Sequence, residues 1–425
     1  MFIKFFGVGV FFIIINTIDS FSQEIKIAPF YKFKNGAVSF TFDDGLDSQF
    51  NIGIELLSKF NYKGTFFITT GNIKKAKWEF FKEMINNGHE IGSHSISHPK
   101  LSEINLNDAN FEIEISKNTV EQNIDSFQCF SFAYPSGRFN AEVKSIVSQF
   151  YQAARSVNSG LCSFENTDNF QLQTLFFSSN LKLKIANTWV NSAIHDQKWL
   201  IESFHGFDGD GYQPISSNLF RKHLEYIKSK ENVLWVATLQ DVVKYFKERQ
   251  GASISIIDSS DYLYRIQLND NLPDSIYNHP LTLKIKIPKS WKDISIAHGE
   301  HIVQFQTQVD PLGNQFVIFD AVPDRGLITI LSQTPFDSEK EKCENCNLIL
   351  YPIPFNNSFR VLWNPMYVGH FSILNLKGQM VFKGELKSGI LQIDTELLEK
   401  GNYMVVIDLD TEKGNFHLIK KVIKE

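Results

Sequence analysis

The stretch that decides the fold is Ser39-Phe-Thr-Phe-Asp-Asp-Gly-Leu-Asp47 (SFTFDDGLD), in which two carboxylates follow an alternating apolar run. The apolar run predicts a β-strand over residues 37–42, and the Asp-Asp-Gly sequence after it is typical of a turn. A turn alone does not explain why two like charges are adjacent at the end of a strand. Other segments of the chain have to show whether the pair has a chemical role.

The surrounding chain, from about residue 36 to residue 250, alternates short β-like runs with amphipathic helical segments. This order predicts parallel βα units, and their number favours a barrel over an open sheet. The predicted strands are residues 37–42, 64–69, 89–93, 129–134, 151–156, 198–204 and 233–239. The predicted helices are residues 48–60, 78–87, 106–124, 141–150, 183–196, 216–230 and 240–250.

Reactive side chains follow five of the predicted strands. In a βα barrel the carboxyl ends of the strands meet at one face, where catalytic residues cluster. His94 and His98 are four residues apart, and one helical turn would place both imidazoles on one side, as metal ligation requires. The five groups are Asp43 with Asp44, His94 with His98, the turn Tyr134–Gly137, Arg155, and His205.

The order of these motifs resembles the polysaccharide deacetylase family, also called carbohydrate esterase family 4 or the NodB homology domain. The motifs are TFDDG, SHSISHP, a Pro-Ser-Gly turn and a late His after an apolar strand, and the resemblance covers about residues 36–250. It implies an α/β fold with a distorted, incomplete βα barrel. It also implies that Asp43 is the general base, that His205 is the general acid, and that Asp44, His94 and His98 hold a divalent metal, most often Zn²⁺.

The third motif departs from the family pattern. Ala133 stands where the family carries an Arg that orients the catalytic Asp, and Ser136 stands where an aromatic backbone donor is usual. Arg155, at the end of the next predicted strand, could replace the missing Arg, or it could form an ordinary surface salt bridge. A backbone N–H of the turn formed by Tyr134, Ser136 and Gly137 is expected to face the oxyanion of the reaction.

The chain after Gly251 changes character, because short β runs separated by turn residues replace the helical segments. We predict a small β-sandwich over residues 252–335 and a polar linker over residues 336–347. Residues 348–425 resemble the type A sorting domain of type IX secretion, with Ile353 where the opening motif usually has Asn. The resemblance implies passage across an outer membrane and the type IX machinery as a partner. We expect a deacetylase domain at residues 24–250 with a core of its own.

The amino terminus predicts export. Lys4 precedes an apolar run from Phe5 to Ile15, and small residues follow near Ser22, so residues 1–22 have the features of a signal peptide. A membrane anchor is the alternative, although the apolar run is short for a bilayer span. We predict no transmembrane helix in the rest of the chain. The net charge of −5, without a long basic run, argues against nucleic acid as a partner.

The expected function is therefore a secreted or cell-surface, metal-dependent deacetylase that hydrolyses N-acetyl or O-acetyl groups of a polysaccharide. The alternative is a non-catalytic carbohydrate-binding or adhesion protein with a degenerate barrel. The region 252–335 could bind a glycan or act as a spacer. The sequence leaves open which glycan is the substrate, which metal binds, and the oligomeric state.

Overall fold

The computed structural model describes residues 25–259, 263–292, 294–299, 301–332, 348–352, 354–411 and 414–425. The predicted signal peptide at 1–22, the linker at 336–347 and Ile353 lie outside these residues. Within the described part of the chain, no helix is long and apolar enough to cross a membrane.

The first region is an α/β barrel, as expected. Its strands are buried on both faces, as is typical of parallel strands covered by helices. The strands are β2 (Gly36–Asp44), β3 (Thr65–Ile68), β4 (Glu90–Ser93), β5 (Ser131–Ala133), β6 (Ala153–Ser159), β7 (Leu172–Phe176), β8 (Trp199–Phe204) and β9 (Leu234–Val236). The helices are α1 (Ile54–Lys59), α2 (Lys77–Asn86), α3 (Leu106–Asn123), α4 (Ala141–Phe150), α5 (Leu183–His195), α6 (Ser217–Lys228) and α7 (Leu239–Gly251).

Strand β2 closes the barrel. It pairs in parallel with β8 along one edge, through residues 37–42. Its other edge is shared, because residues 36–38 pair with β9 and residues 41–44 pair with β3. The described strands therefore form a ring of seven, β2 through β8, with β9 filling the gap at the amino-terminal end of β2. This arrangement brings the carboxyl ends of β2, β4, β5, β6 and β8 to one face of the barrel.

Local signals explain most of the element boundaries. Helix α3 begins at Leu106, as predicted, because the side chain of Asn105 caps it by accepting the N–H of Asp108 at 3.0 Å. Strand β7 was not predicted from the sequence. Its carboxyl end adds Phe176 to the reactive face.

The second region is a β-sandwich, as predicted, but one of its strands comes from the amino terminus. Strand β1 (Ile25–Ile27) pairs antiparallel with β12. One sheet has the order β1-β12-β16-β15 and the other has the order β10-β11-β17-β13-β14. The remaining strands are β10 (Ser253–Ser259), β11 (Leu263–Asn269), β12 (Leu281–Ile287), β13 (Ile294–His298), β14 (His301–Ile302), β15 (Phe305–Val309), β16 (Gln315–Ala321) and β17 (Ile328–Ser332).

The barrel has one buried apolar cluster of its own and shares a second cluster with this sandwich. A single cluster of buried side chains runs from the barrel, through α7, into both sheets of the sandwich. Polar contacts reinforce the junction, since the Tyr245 hydroxyl donates to the Ala28 carbonyl at 2.8 Å and the Tyr31 hydroxyl donates to Asp320 at 2.8 Å. The cluster includes Phe30, Trp199, Trp235, Tyr245 and Phe246 from the first region, and Tyr264, Ile266, Leu268, Leu283 and Ile285 from the second. The boundary between residues 250 and 252 stays a prediction, as does a barrel core of its own, but the shared cluster ties the stability of the barrel to the sandwich.

A fragment ending at residue 250 is therefore expected to be much less stable than one ending at residue 332. Each large apolar side chain that becomes exposed costs about 1.5–3 kcal/mol, and a domain has only about 5–15 kcal/mol to lose. Thermal unfolding of fragments 24–250 and 24–332, followed by circular dichroism, measures the difference. Equal unfolding temperatures for the two fragments would show that the sandwich contributes nothing to barrel stability.

The carboxyl-terminal region is a second β-sandwich with its own buried cluster, as expected. Its sheets have the orders β18-β19-β22 and β21-β20-β23-β24. A smaller apolar cluster joins Leu263 and Leu331 of the middle region to Leu374 and Met404 of this one. The strands are β18 (Ile349–Tyr351), β19 (Ser358–Leu362), β20 (Val368–Asn375), β21 (Met380–Leu386), β22 (Ile390–Asp394), β23 (Gly401–Thr411) and β24 (Gly414–Lys424).

Candidate active site

Three potential metal ligands converge where β2 and β4 end. One oxygen of Asp44 lies 3.6 Å from Nε2 of His94 and 3.5 Å from Nε2 of His98. One ligand atom from each of the three residues lies within 4.8 Å of the other two. Two imidazoles and one carboxylate are a donor set that suits zinc and leaves positions for water and substrate. The residues predicted as ligands therefore fit a divalent metal.

The backbone at Asp44 explains how two adjacent carboxylates serve one site. Asp44 itself has a φ of 76°, and Gly45 follows with a φ of 73°. A strict strand would send neighbouring side chains to opposite faces. The break in alternation therefore begins at Asp44 itself, in its left-handed conformation, one residue before Gly45.

The two histidines do not lie on a helical turn, contrary to the expectation from their spacing. The segment is a tight loop in which Ser95 and His98 have φ values of 64° and 62°. The Ser95 hydroxyl accepts the N–H of His98 at 3.0 Å, which holds the loop closed. The loop still brings the two rings together, with centroids 4.8 Å apart.

Hydrogen bonding directs His94 toward the metal position. Its Nδ1 lies 2.8 Å from the Ala133 carbonyl, which leaves Nε2 as the free lone pair when Nδ1 carries the proton. Burial lowers the pKa of His94, although the carboxylates of Asp43 and Asp44 act in the opposite direction. The neutral imidazole is the form that binds a metal.

Asp43 is held by Arg155 across the barrel interior. Nη2 of Arg155 lies 2.7 Å from one carboxylate oxygen of Asp43 and 2.6 Å from the other. Strands β2 and β6 are not neighbours in the sheet, so the contact has to cross the inside of the barrel. Arg155 is 1% exposed, which excludes the surface salt bridge considered as the alternative.

Arg155 also sets the charge state of Asp43. Burial alone would raise the pKa of this carboxyl group, but the Arg155 guanidinium, with smaller effects of His94 and His205, lowers it below its ordinary value. Asp43 is therefore ionised at neutral pH and can accept a proton.

In the turn Tyr134–Gly137, one backbone N–H group is available to donate a hydrogen bond to a ligand. The N–H of Tyr134 donates to the Arg155 carbonyl at 3.2 Å, and the N–H of Gly137 donates to the Tyr134 carbonyl at 2.9 Å. Pro135 has no N–H. Ser136 is exposed at the cleft, and its N–H has no acceptor among the described residues. The expected oxyanion donor can thus be narrowed to Ser136, while Tyr134 and Gly137 support the turn.

His205 reaches the same site from the end of β8. Its Nε2 lies 3.9 Å from the second oxygen of Asp44. The side-chain amide of Gln49 donates to the carbonyls of both Asp43 and His205, which ties the ends of β2 and β8 together. Nδ1 of His205 is buried and has no hydrogen-bond partner within the described structure.

Sequence reasoning missed two aromatic residues beside His205. Phe176 and Tyr212 contact the His205 ring edge-on, at centroid distances of 5.4 and 5.2 Å. Both line a cleft of about 900 Å³ that also contains the metal ligands, Asp43, Arg155 and Ser136. No sequence signal identified them, because Phe176 ends the unpredicted strand β7 and Tyr212 belongs to a Gly-rich loop.

Two tryptophans of the barrel, Trp189 and Trp199, are structural. Trp199 is 1% exposed, and its indole N–H donates to Ser39 at 3.0 Å. Trp189 packs edge-on against Phe177. Neither is among the residues that line the cleft, so both are assigned to core packing and not to sugar stacking.

Removing Arg155 is expected to destabilise the protein strongly, because it leaves the buried Asp43 carboxylate without its partner. Breaking a buried ion pair from one side typically costs about 3–5 kcal/mol. Urea unfolding of Arg155→Met measures the loss, with the exposed Arg138→Met as control. The double variant Asp43→Asn/Arg155→Met should recover part of it. A loss for Arg155→Met below about 1 kcal/mol, typical of exposed pairs, would contradict the buried arrangement.

Comparison with known proteins assigns two parts of the chain. Residues 31–153 match the family model of polysaccharide deacetylases, and residues 349–425 match the model of a secretion system C-terminal sorting domain. A peptidoglycan-N-acetylglucosamine deacetylase of Bacillus cereus is 39% identical over 74 residues, which are 17% of this chain and 26% of that protein.

Two further similarities are longer but weaker. A gellan lyase of Bacillus sp is 25% identical over 335 residues, covering 72% of this chain and 13% of that protein. The Xyl-CE4 domain of a multidomain xylanase, from the hindgut metagenome of Trinervitermes trinervoides, is 16% identical with a TM-score of 0.38, and the match covers 51% of this chain and 92% of that domain. The chain thus spans 13% and 26% of the length of the two curated relatives.

Proposed function

We propose that this chain is a metal-dependent enzyme that removes N-acetyl or O-acetyl groups from a polysaccharide. Its residues 31–153 belong to the polysaccharide deacetylase family, and its residues 349–425 form a type IX sorting domain. The sorting domain indicates type IX secretion, so the protein is secreted or attached to the cell surface. The observation that carries the proposal is one cleft that contains three convergent metal ligands, an ionised Asp43 and His205.

The metal site consists of Asp44, His94 and His98. A bound divalent ion, for which Zn²⁺ is the best candidate, supplies Lewis acidity and lowers the pKa of bound water to about 7. The Ala133 carbonyl supports this role, because it fixes the His94 tautomer.

Asp43 and His205 carry out the two proton transfers of the reaction. Asp43 takes a proton from the attacking water, whose oxygen forms a bond to the acetyl carbon. Arg155 keeps Asp43 ionised and oriented between the two halves of the barrel. The Ser136 N–H is available to hydrogen-bond the carbonyl oxygen as negative charge develops on it.

His205 completes the reaction from the opposite strand. As the bond between the acetyl carbon and the sugar nitrogen or oxygen breaks, His205 donates a proton to the departing atom. The products are acetic acid, which ionises to acetate at neutral pH, and a free amine or hydroxyl on the glycan. One water is consumed for each acetyl group. Asp43 has gained one proton and His205 has lost one, so proton exchange with solvent returns both residues to their starting states.

The test is acetate release from a panel of acetylated glycans by the metal-loaded protein. The panel contains N-acetylglucosamine oligomers, peptidoglycan and acetylated xylan, and the Asp43→Asn/His205→Ala double variant is the control. Acetate from at least one glycan, absent with the control, is the expected result. Acetate from none of them would contradict the proposal.

A second candidate function is non-catalytic glycan binding. It is favoured by one observation, the buried Nδ1 of His205 without a partner, because an acid catalyst is usually held by a hydrogen bond on its second nitrogen. This reading predicts glycan binding by the wild-type protein without release of acetate.

A further inference from the structure

We propose that Tyr212 is a stacking platform for one pyranose ring of the substrate. The inference rests on the proposed function. It concerns a residue that neither the motifs of the sequence nor the family resemblance identifies.

The first observation is the exposure of Tyr212. Its side chain is 62% exposed, although most aromatic side chains of the barrel are buried. It lines the cleft beside His205, with ring centroids 5.2 Å apart. A large apolar ring that is left in water next to reactive residues gains free energy when a ligand covers it.

The second observation is that the ring is held in place before any ligand binds. Tyr212 stacks on Phe176, with a centroid distance of 6.2 Å and an interplanar angle of 18°. The side-chain amide of Gln213 donates to the Tyr212 hydroxyl at 3.2 Å. An aromatic surface that is already oriented loses little conformational entropy on binding.

The loop that carries Tyr212 is also ordered by specific contacts. Asp210 accepts the N–H of Ser48 at 3.0 Å, and Asp208 accepts the N–H of Ser217 at 2.9 Å. The N–H of Ile215 donates to the Gly206 carbonyl at 3.0 Å, which closes the loop at its base. The carboxylates of Asp208 and Asp210 therefore anchor the backbone of this loop. The anchored loop fixes the position of the Tyr212 ring beside His205.

The chemistry of a sugar ring explains why it suits this surface. The face of an aromatic ring carries negative charge density and attracts the C–H bonds of a pyranose. A pyranose ring presents several axial C–H bonds on at least one face, so one flat aromatic ring can cover that face without burying a hydroxyl group.

The test compares wild type, Tyr212→Phe and Tyr212→Ala on N-acetylglucosamine oligomers, which are gluco-configured. Loss of the ring should raise KM for the gluco oligomer about tenfold, with kcat nearly unchanged. Tyr212→Phe keeps the ring and loses only the hydrogen bond from Gln213, so its KM should stay much closer to that of wild type. Phe111→Ala, which removes an aromatic ring that is 58% exposed outside the cleft, should also leave KM unchanged.

Calorimetric binding of the same oligomers to the metal-free proteins separates this inference from the proposed function. Wild type and Tyr212→Phe should bind the gluco oligomer about tenfold more tightly than Tyr212→Ala, even if no variant releases acetate. Equal affinities for wild type and Tyr212→Ala would overturn the platform. A wild-type protein that binds but releases no acetate would overturn only the proposed function.

Discussion

Replacing Asp43 with Asn is expected to lower kcat by about 10²–10⁴-fold, because the amide cannot accept the proton of the attacking water. The Asn side chain keeps the size of Asp43, but it leaves the buried Arg155 without its charged partner. Urea unfolding therefore has to show that the variant is folded under the assay conditions before kcat is compared. Acetate release under saturating substrate measures kcat, and elemental analysis measures the metal. The metal content should stay near the wild-type value, since Asp43 is not one of the three convergent ligands.

The matched control is Asp47→Asn. Asp47 comes from the same segment, but its side chain is 82% exposed and pairs with Lys77. This variant should keep the wild-type kcat. An Asp43→Asn protein that retains its metal and an unchanged kcat would remove Asp43 from the reaction.

Replacing His205 with Ala is expected to lower kcat on N-acetyl substrates by about 10²–10⁴-fold and to have a smaller effect on O-acetyl esters. An amine is a poor leaving group without a proton, whereas an alkoxide leaves more readily. The ratio of the two activities, measured on N-acetylated and O-acetylated forms of one oligomer, therefore reports the role of His205 directly.

His195→Ala is the corresponding control, because His195 is 88% exposed at the end of α5 and is not among the residues that line the cleft. It should leave both activities unchanged. Equal losses of His205→Ala on amide and ester substrates would indicate that His205 has a structural role and does not protonate the leaving group.

The barrel and the convergence of its site were predictable from local patterns. Continuous apolar strands followed by helices predict parallel βα units, and Asp44, His94 and His205 follow strands whose carboxyl ends meet at one face. The sequence also suggested Arg155 as a substitute for the residue missing at Ala133. In the structure Arg155 contacts Asp43 because the closed ring of strands places β6 across the barrel from β2. The order of the strands along the chain does not by itself predict this contact.

Other features depend on conformations that no periodicity encodes. One is the left-handed backbone at Asp44, and another is the non-helical loop from His94 to His98, which the Ser95 hydroxyl closes by accepting the N–H of His98. The position of Tyr212 depends on the carboxylates of Asp208 and Asp210, which bind backbone N–H groups. In the sequence, Asp-Gly-Asp-Gly is typical of an ordinary turn. The pairing of residues 25–27 with β12 joins segments more than 250 residues apart, which local signals cannot predict.

The most direct test of the account is metal-dependent acetate release. The protein is treated with a chelator, divided, and assayed on an N-acetylglucosamine oligomer with and without added Zn²⁺, in parallel with the His94→Ala/His98→Ala double variant. We expect the wild type to lose activity on chelation and to regain it at about one zinc per chain, while the double variant binds no zinc and stays inactive. Full activity of the chelated protein, or native zinc stoichiometry in the double variant, would contradict the account.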